Sequence, residues 1–187
     1  LITTSDWHIG NLFHGNDRLP EHKHFLKWLL QRIEEQHPDA LLIAGDVIDN
    51  GNPSAAAQSA YYEFLADATQ ASPQMQIIIT AGNHDSASRL EAPRALLTRH
   101  NVEIRGNVRR TWNADNDGGK WDIDYNDLMV PVRNKNGEEI VVLTVPYLRS
   151  DIVQNACYSE GVNTFLRNLT SMALSLIHIS EPTRPER

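Results

Sequence analysis

With one cysteine, Cys157, among 187 residues, the chain cannot form an internal disulfide, and nothing calls for an oxidising compartment. It lacks any apolar run near the ~20 residues of a membrane-spanning helix. The longest candidates, Ala40–Ala44 and Ile77–Ala81, have the length of strands. No signal peptide, internal repeat or low-complexity tract is present, and the expected location is the cytoplasm. The first residue is Leu1, inside an expected strand, so the native N-terminus is expected upstream of it. Positive charge is scarce. Lys and Arg total 17 against 24 Asp and Glu, a net charge of −7, which argues against a broad basic face for nucleic acid. Carboxylates gathered at a metal site would add to that count, and divalent cations would offset them locally. One short basic cluster, Arg105, Arg109 and Arg110, reads as a solvated hairpin edge in preference to a DNA contact.

What is present is a globular composition, 41% hydrophobic and 22% charged, with room for one domain and a real core. Ile2–Thr4, Ala40–Ala44 and Gln76–Ala81 read as strands. Between them lie expected helices at Glu21–Gln36, where Phe25, Leu29 and Ile33 share a face, and at Ser54–Ala68, opened by Ser54 after Pro53. A third helix is expected over Ser88–Arg99 despite Pro93. This alternation predicts an α/β fold with a parallel sheet and its site at the carboxyl ends of the strands. From Val102 an antiparallel sheet is expected, with Leu128–Val132 and Ile140–Val145 flanking a turn at Asn134–Gly137. Asn113–Gly119 reads as a polar loop and Tyr158–Met172 as another helix.

Three strings carry the chemistry: SDWHIG at Ser5–Gly10, GDVIDNG at Gly45–Gly51 and GNHD at Gly82–Asp85. Each follows an expected strand and closes it with metal-binding side chains. Asp6 and His8, two apart, share one side of an extended segment and can hold one cation. Asp46 can bridge two cations with its two oxygens, and Asn83 offers a carbonyl oxygen to the second. Carboxylates mixed with imidazoles suit Mn, Fe or Zn rather than Ca. Two such metals ~3.5–4 Å apart are suited to phosphoester hydrolysis. Gly45 and Gly82 let the backbone turn tightly beside them.

His84 is the candidate general acid, and Asp49 the group that holds and charges it. Asp85 is read as a cap of the following segment with Ser86. His14, in the loop after Gly10, is a candidate contact for substrate phosphate. His22 and His24 are read as surface residues, His37 and His100 as helix-end residues, and Trp7 as packing between the motifs.

The end of the chain is of another kind. Leu174–Arg184 reads LSLIHISEPTR, eleven consecutive residues matching one reading frame of a transposon-type sequencing adapter. The native sequence is therefore expected to stop near Ala173, with residues 174–187 as read-through from library construction. His178 is accordingly not counted as a ligand.

The motifs D-x-H, G-D-x-x-D and G-N-H-D resemble those of the calcineurin-like metallophosphoesterase superfamily. SDWHIGNLFHG, FLKWLLQRI, PDALLIAGDVIDNGNPS, AGNHDSASRLEAP and VPYLR narrow the resemblance to its SbcD branch of Mre-type bacterial nuclease subunits. The resemblance implies that residues 1–173 are the first half of a four-layer metallophosphoesterase sandwich. It implies a manganese-dependent DNA exonuclease and endonuclease with two divalent metal ions, an SbcC-type coiled-coil ATPase as partner, and a homodimer. By motif, Asp6, His8, Asp46 and Asn83 match metal ligands, His84 the catalytic histidine, and Asp49 its paired residue. The family's later Gly-His and Gly-His-x-His strings do not occur, since His178 is the only histidine after His100. Two alternatives stand beside the nuclease: an inactive fragment, and a phosphatase or small-molecule phosphodiesterase.

Overall fold

The computed structural model describes residues 1–114, 118–153 and 157–180, with side chains as far as Ser175. In chain order its elements are β1 (Ile2–Ser5), β2 (Leu12–Phe13), β3 (Asn16–Asp17), α1 (Leu19–Gln36), β4 (Ala40–Ala44) and α2 (Ala55–Ala71). β5 (Gln76–Thr80), α3 (Ala87–Glu91), α4 (Arg94–Leu97) and β6 (Val102–Arg105) follow. Next come β7 (Arg110–Asn113), β8 (Lys120–Ile123), β9 (Met129–Arg133), β10 (Glu139–Leu143) and α5 (Tyr158–Ser180). Two units divide the described residues, one built on Leu1–Asn107 with Val132–Ile140 and Thr144–Tyr147, the other on the remainder.

In the first unit a parallel sheet runs in the order β1-β4-β5-β6. ALLIA and QIIIT are near-continuous apolar runs, the signature of parallel strands covered on both faces. Leu41, Ile43, Ile77 and Ile79 are at most 1% exposed. Leu29 and Ile33 of α1 and Ala57, Tyr61, Phe64 and Ala68 of α2 complete this core. Trp7 is packed as expected, edge-on to Phe25 and Phe64, with its indole N–H on Thr4 Oγ1 at 2.9 Å.

Several boundaries differ from the expected ones. α1 begins at Leu19, two residues early, because Pro20 suits the first turn and the Asp17 carboxylate accepts from the Leu19 N–H at 2.9 Å. Ser54 caps α2 through the Ala57 N–H, at 3.2 Å. The helix expected over Ser88–Arg99 is two short helices, α3 and α4, parted at Pro93, which lacks the N–H that a continuous helix needs. Val102 opens the fourth parallel strand rather than an antiparallel sheet. Arg105 on that strand is 6% exposed and bonded to Glu103 at 2.8 Å, so it is no hairpin edge.

In the second unit β7 and β8 form an antiparallel hairpin with Trp112 opposite Trp121. Its turn carries much of the expected loop, of which residues 115–117 lie outside the described residues. Arg110 is bonded to the Asp151 carbonyl, and Arg109 pairs with Asp127 at 3.4 Å. α5 buries Phe165, Leu169 and Ala173 and runs on to Ser180 without a break at Ala173. The His178 side chain lies outside the described residues. Among the described residues no helix is long and apolar enough to cross a membrane.

Candidate metal centre

β1, β4 and β5 end side by side, with Ser5 opposite Ala44 and Ala44 opposite Thr80. Beyond these ends the first two motif loops remain zipped together. Asp6 N–H donates to the Gly45 carbonyl at 3.2 Å, His8 N–H to Asp46 at 2.9 Å and Ile9 N–H to Val47 at 3.0 Å. Asp49 N–H returns the bond to Ile9 at 3.2 Å. Within this ladder Asp6, His8 and Asp46 have φ of 54°, 47° and 46°. The extended geometry expected across Asp6 and His8 therefore ends at Ser5. Left-handed backbone costs a non-glycine residue about 1 kcal/mol, somewhat less for Asp, and it clusters where surrounding structure enforces it for function.

These turns gather donors. One ligand atom each from Asp6, His8 and Asp46 lie within 4.8 Å of one another, and so do those from His8, Asp49 and His84. His8 belongs to both groups: Nε2 is 3.9 Å from Asp46 Oδ2 and Nδ1 is 3.4 Å from Asp49 Oδ1. The His8 and His84 rings meet edge to face with centroids 4.9 Å apart. His84 Nδ1 lies 3.0 Å from the Asp49 carbonyl, which only accepts, so Nδ1 carries the proton and Nε2 the lone pair of the neutral ring. Asp49 thus holds His84 through its backbone, while its carboxylate faces His8 and accepts from Asn11 Nδ2 at 2.7 Å. Asn83 is exposed on the loop between Gly82 and His84, and both carboxylate–histidine groups are assembled without it.

The residue that sequence reasoning misplaced is Asp85. It is 4% exposed and accepts from Ile48 N–H at 2.9 Å, Val47 N–H at 3.1 Å and Gly82 N–H at 2.9 Å. Rather than capping the next helix, whose N-cap Ser86 makes no side-chain cap bond, it staples the second motif loop to the third. Its signal was a carboxylate left without a role at the end of GNHD. Gly82 is required by the same closeness: a Cβ there would stand 2.1 Å from Asp46 Oδ1 and 2.4 Å from Asp46 N.

A cleft of about 550 Å³ opens over these groups, lined by Asp6, His8, Asp49 and His84 together with Asn11, Arg18 and His22. His22 is not a surface residue. It is 9% exposed, and its Nδ1 accepts from Gly10 N–H at 3.4 Å. Burial, then the Arg18 guanidinium, holds its imidazole below 6.5. His14 sits at the exposed tip of the β2–β3 hairpin with φ of 49°, its ring against Phe13. From this hairpin and its flanks the cleft takes Asn11 and Arg18.

The donor set fits a divalent metal of the Mn, Fe or Zn kind: three carboxylates and two imidazoles, converging from three loops. His8 Nδ1 is buried without a hydrogen bond, as expected of a nitrogen kept for a cation. The calcineurin-like phosphoesterase family profile matches residues 1–163. The SbcD component of the nuclease SbcCD from Rhodobacter capsulatus is 40% identical over 150 residues, 80% of this chain and 35% of that protein. Its Escherichia coli K12 counterpart is 36% identical over 104 residues, 56% of this chain and 26% of that one. The Staphylococcus epidermidis protein of the same name is 26% identical over 175 residues, 90% and 40% respectively. The chain spans about a third of the length of these curated relatives. Strand-end carboxylates and histidines in this arrangement, together with a match over most of the sequence, make the chain a member of the calcineurin-like phosphoesterase family.

Proposed function

We propose that this chain carries the metal-binding half of a DNA phosphodiesterase of the SbcD kind, an exonuclease and hairpin endonuclease working with two Mn²⁺ ions. The observation that carries it is the pair of donor groups sharing His8, set in one open cleft at the strand ends. Asp6, His8 and Asp46 would hold one cation, and Asp46 with Asn83 would reach the second. Bound there, divalent cations supply charge stabilisation to the phosphoryl oxygens and a nucleophilic water near neutral pH. His84, its Nδ1–H tied to the Asp49 carbonyl, has Nε2 available to pass a proton to the leaving oxygen. Similarity to the SbcD components of SbcCD nucleases supports DNA as substrate, an SbcC-type coiled-coil ATPase as partner, a homodimer, and a cytoplasmic setting.

A second reading concerns the chain alone, and one observation favours it. Histidine-bearing Gly-His and Gly-His-x-His strings are absent from the sequence, so this polypeptide by itself is expected to be inactive. The test is Mn²⁺-dependent digestion of hairpin DNA, run beside a model phosphodiester, with this chain and with a longer protein that adds those strings. Digestion of DNA by the longer protein, lost in His84→Ala with metal still bound, supports the nuclease. Hydrolysis of the model diester alone points to a small-molecule phosphodiesterase.

A further inference from the structure

Behind the metal loops lies a small pocket that the proposed chemistry leaves unused. It is lined by Tyr61 of α2, Asp85, Ile48, Ser86 and Leu90, and has about 20 Å³ of room, which suffices for one water. Tyr61 is 1% exposed, and its hydroxyl is buried without a hydrogen-bond partner. Such a group costs free energy unless it is satisfied, and native interiors rarely leave one alone. Asp85 has the complementary shortage. Three backbone N–H groups occupy its two oxygens, while a carboxylate has about four lone-pair sites. Burial, then the nearby Tyr62 and Asp85, pushes the Tyr61 phenol well above its ordinary range, so the hydroxyl keeps its proton and is a donor.

We propose that this pocket holds one ordered water, which accepts from the Tyr61 hydroxyl and donates to the remaining lone pair of Asp85. Tyr61 is then a positioning residue. Through the water it orients the carboxylate that holds Val47, Ile48 and Gly82, and so the loops bearing Asp46, Asp49 and His84. A hydroxyl 15 residues downstream of Asp46 thereby reaches the metal centre without touching it. The bearing on metal rests on the proposed function; the water site rests on geometry alone.

Tyr61→Phe removes the hydroxyl and keeps the ring, so the core stays filled. In a high-resolution crystal structure of the full chain, density for a water within hydrogen-bond distance of Tyr61 and Asp85 is expected. In Tyr61→Phe, amide hydrogen exchange at Val47, Ile48 and Gly82 should quicken about tenfold, while Leu41 and Ile104 in the sheet stay as they were. A wild-type pocket without that density overturns the proposal. So does unchanged exchange at the three amides, or an equal rise everywhere, which would mark Tyr61 as core packing only. Neither readout depends on metal or turnover, so a failed nuclease assay leaves this inference standing.

Discussion

His84 and Asp46 lie 38 residues apart, yet the His84 N–H donates to Asp46 Oδ1 at 2.9 Å. One oxygen of the proposed bridging carboxylate is therefore already oriented by the loop that carries the proposed acid. Removing Asp46 takes away a donor and frees that loop together. Asp46→Ala is expected to weaken Mn²⁺ binding by more than about 100-fold, since even residues that merely support a ligand are worth 10–100-fold. Calorimetric titration checks it. Unchanged affinity and stoichiometry would remove Asp46 from the site.

Asp85→Ala should cost about 3 kcal/mol or more, because it strands three buried N–H groups at once. Asp85→Asn should recover part of this, as one amide oxygen can still accept. Urea denaturation of the three proteins measures the order.

Gly82→Ala should be destabilising by about 2 kcal/mol through overpacking alone, as its Cβ would collide with both the side chain and the backbone of Asp46. Gly15, with φ of +79° and nothing within 4 Å of its notional Cβ, is the control: Gly15→Ala should cost about 1 kcal/mol of backbone strain. Loss of metal binding is expected in the first variant and not in the second.

His22 makes stability depend on pH. The native state holds its imidazole below 6.5, by burial first and Arg18 second, against smaller opposite effects of Glu21, Asp17 and Asp49. The unfolded chain therefore binds a proton more readily. His22's contribution is complete above 6.5 and is lost as pH falls from there toward the lower native value. Between pH 7.5 and 5.5 the urea midpoint should drop further in the wild type than in His22→Gln. Equal drops would mean that His22 is as free to charge when folded as when unfolded.

The three motif strings and the strands feeding them were legible because both depend on short spacings, such as the apolar run before Gly45 or Asp6 beside His8. Roles set by distant partners were not. Asp85 acts on amides 37 and 38 residues back, which no local pattern reveals. His22 follows the β2–β3 hairpin, and only the fold brings Gly10 to its ring. Arg105 reads as a surface cation until β6 joins the sheet and covers it. The β7–β8 hairpin was hidden because its strands carry Arg, Asn, Lys and Asp around their tryptophans rather than an apolar alternation.

The zipped loops after β1 and β4 also settle when a metal can matter in time. Its donors come from segments some 40 residues apart and meet only once parallel neighbours have paired, a step that must first overcome loop-closure entropy. A cation that recognises only the closed arrangement arrives after the folding barrier. It should leave the refolding rate as it is in chelator and slow the escape from the folded state, acting as a latch and not a nucleus.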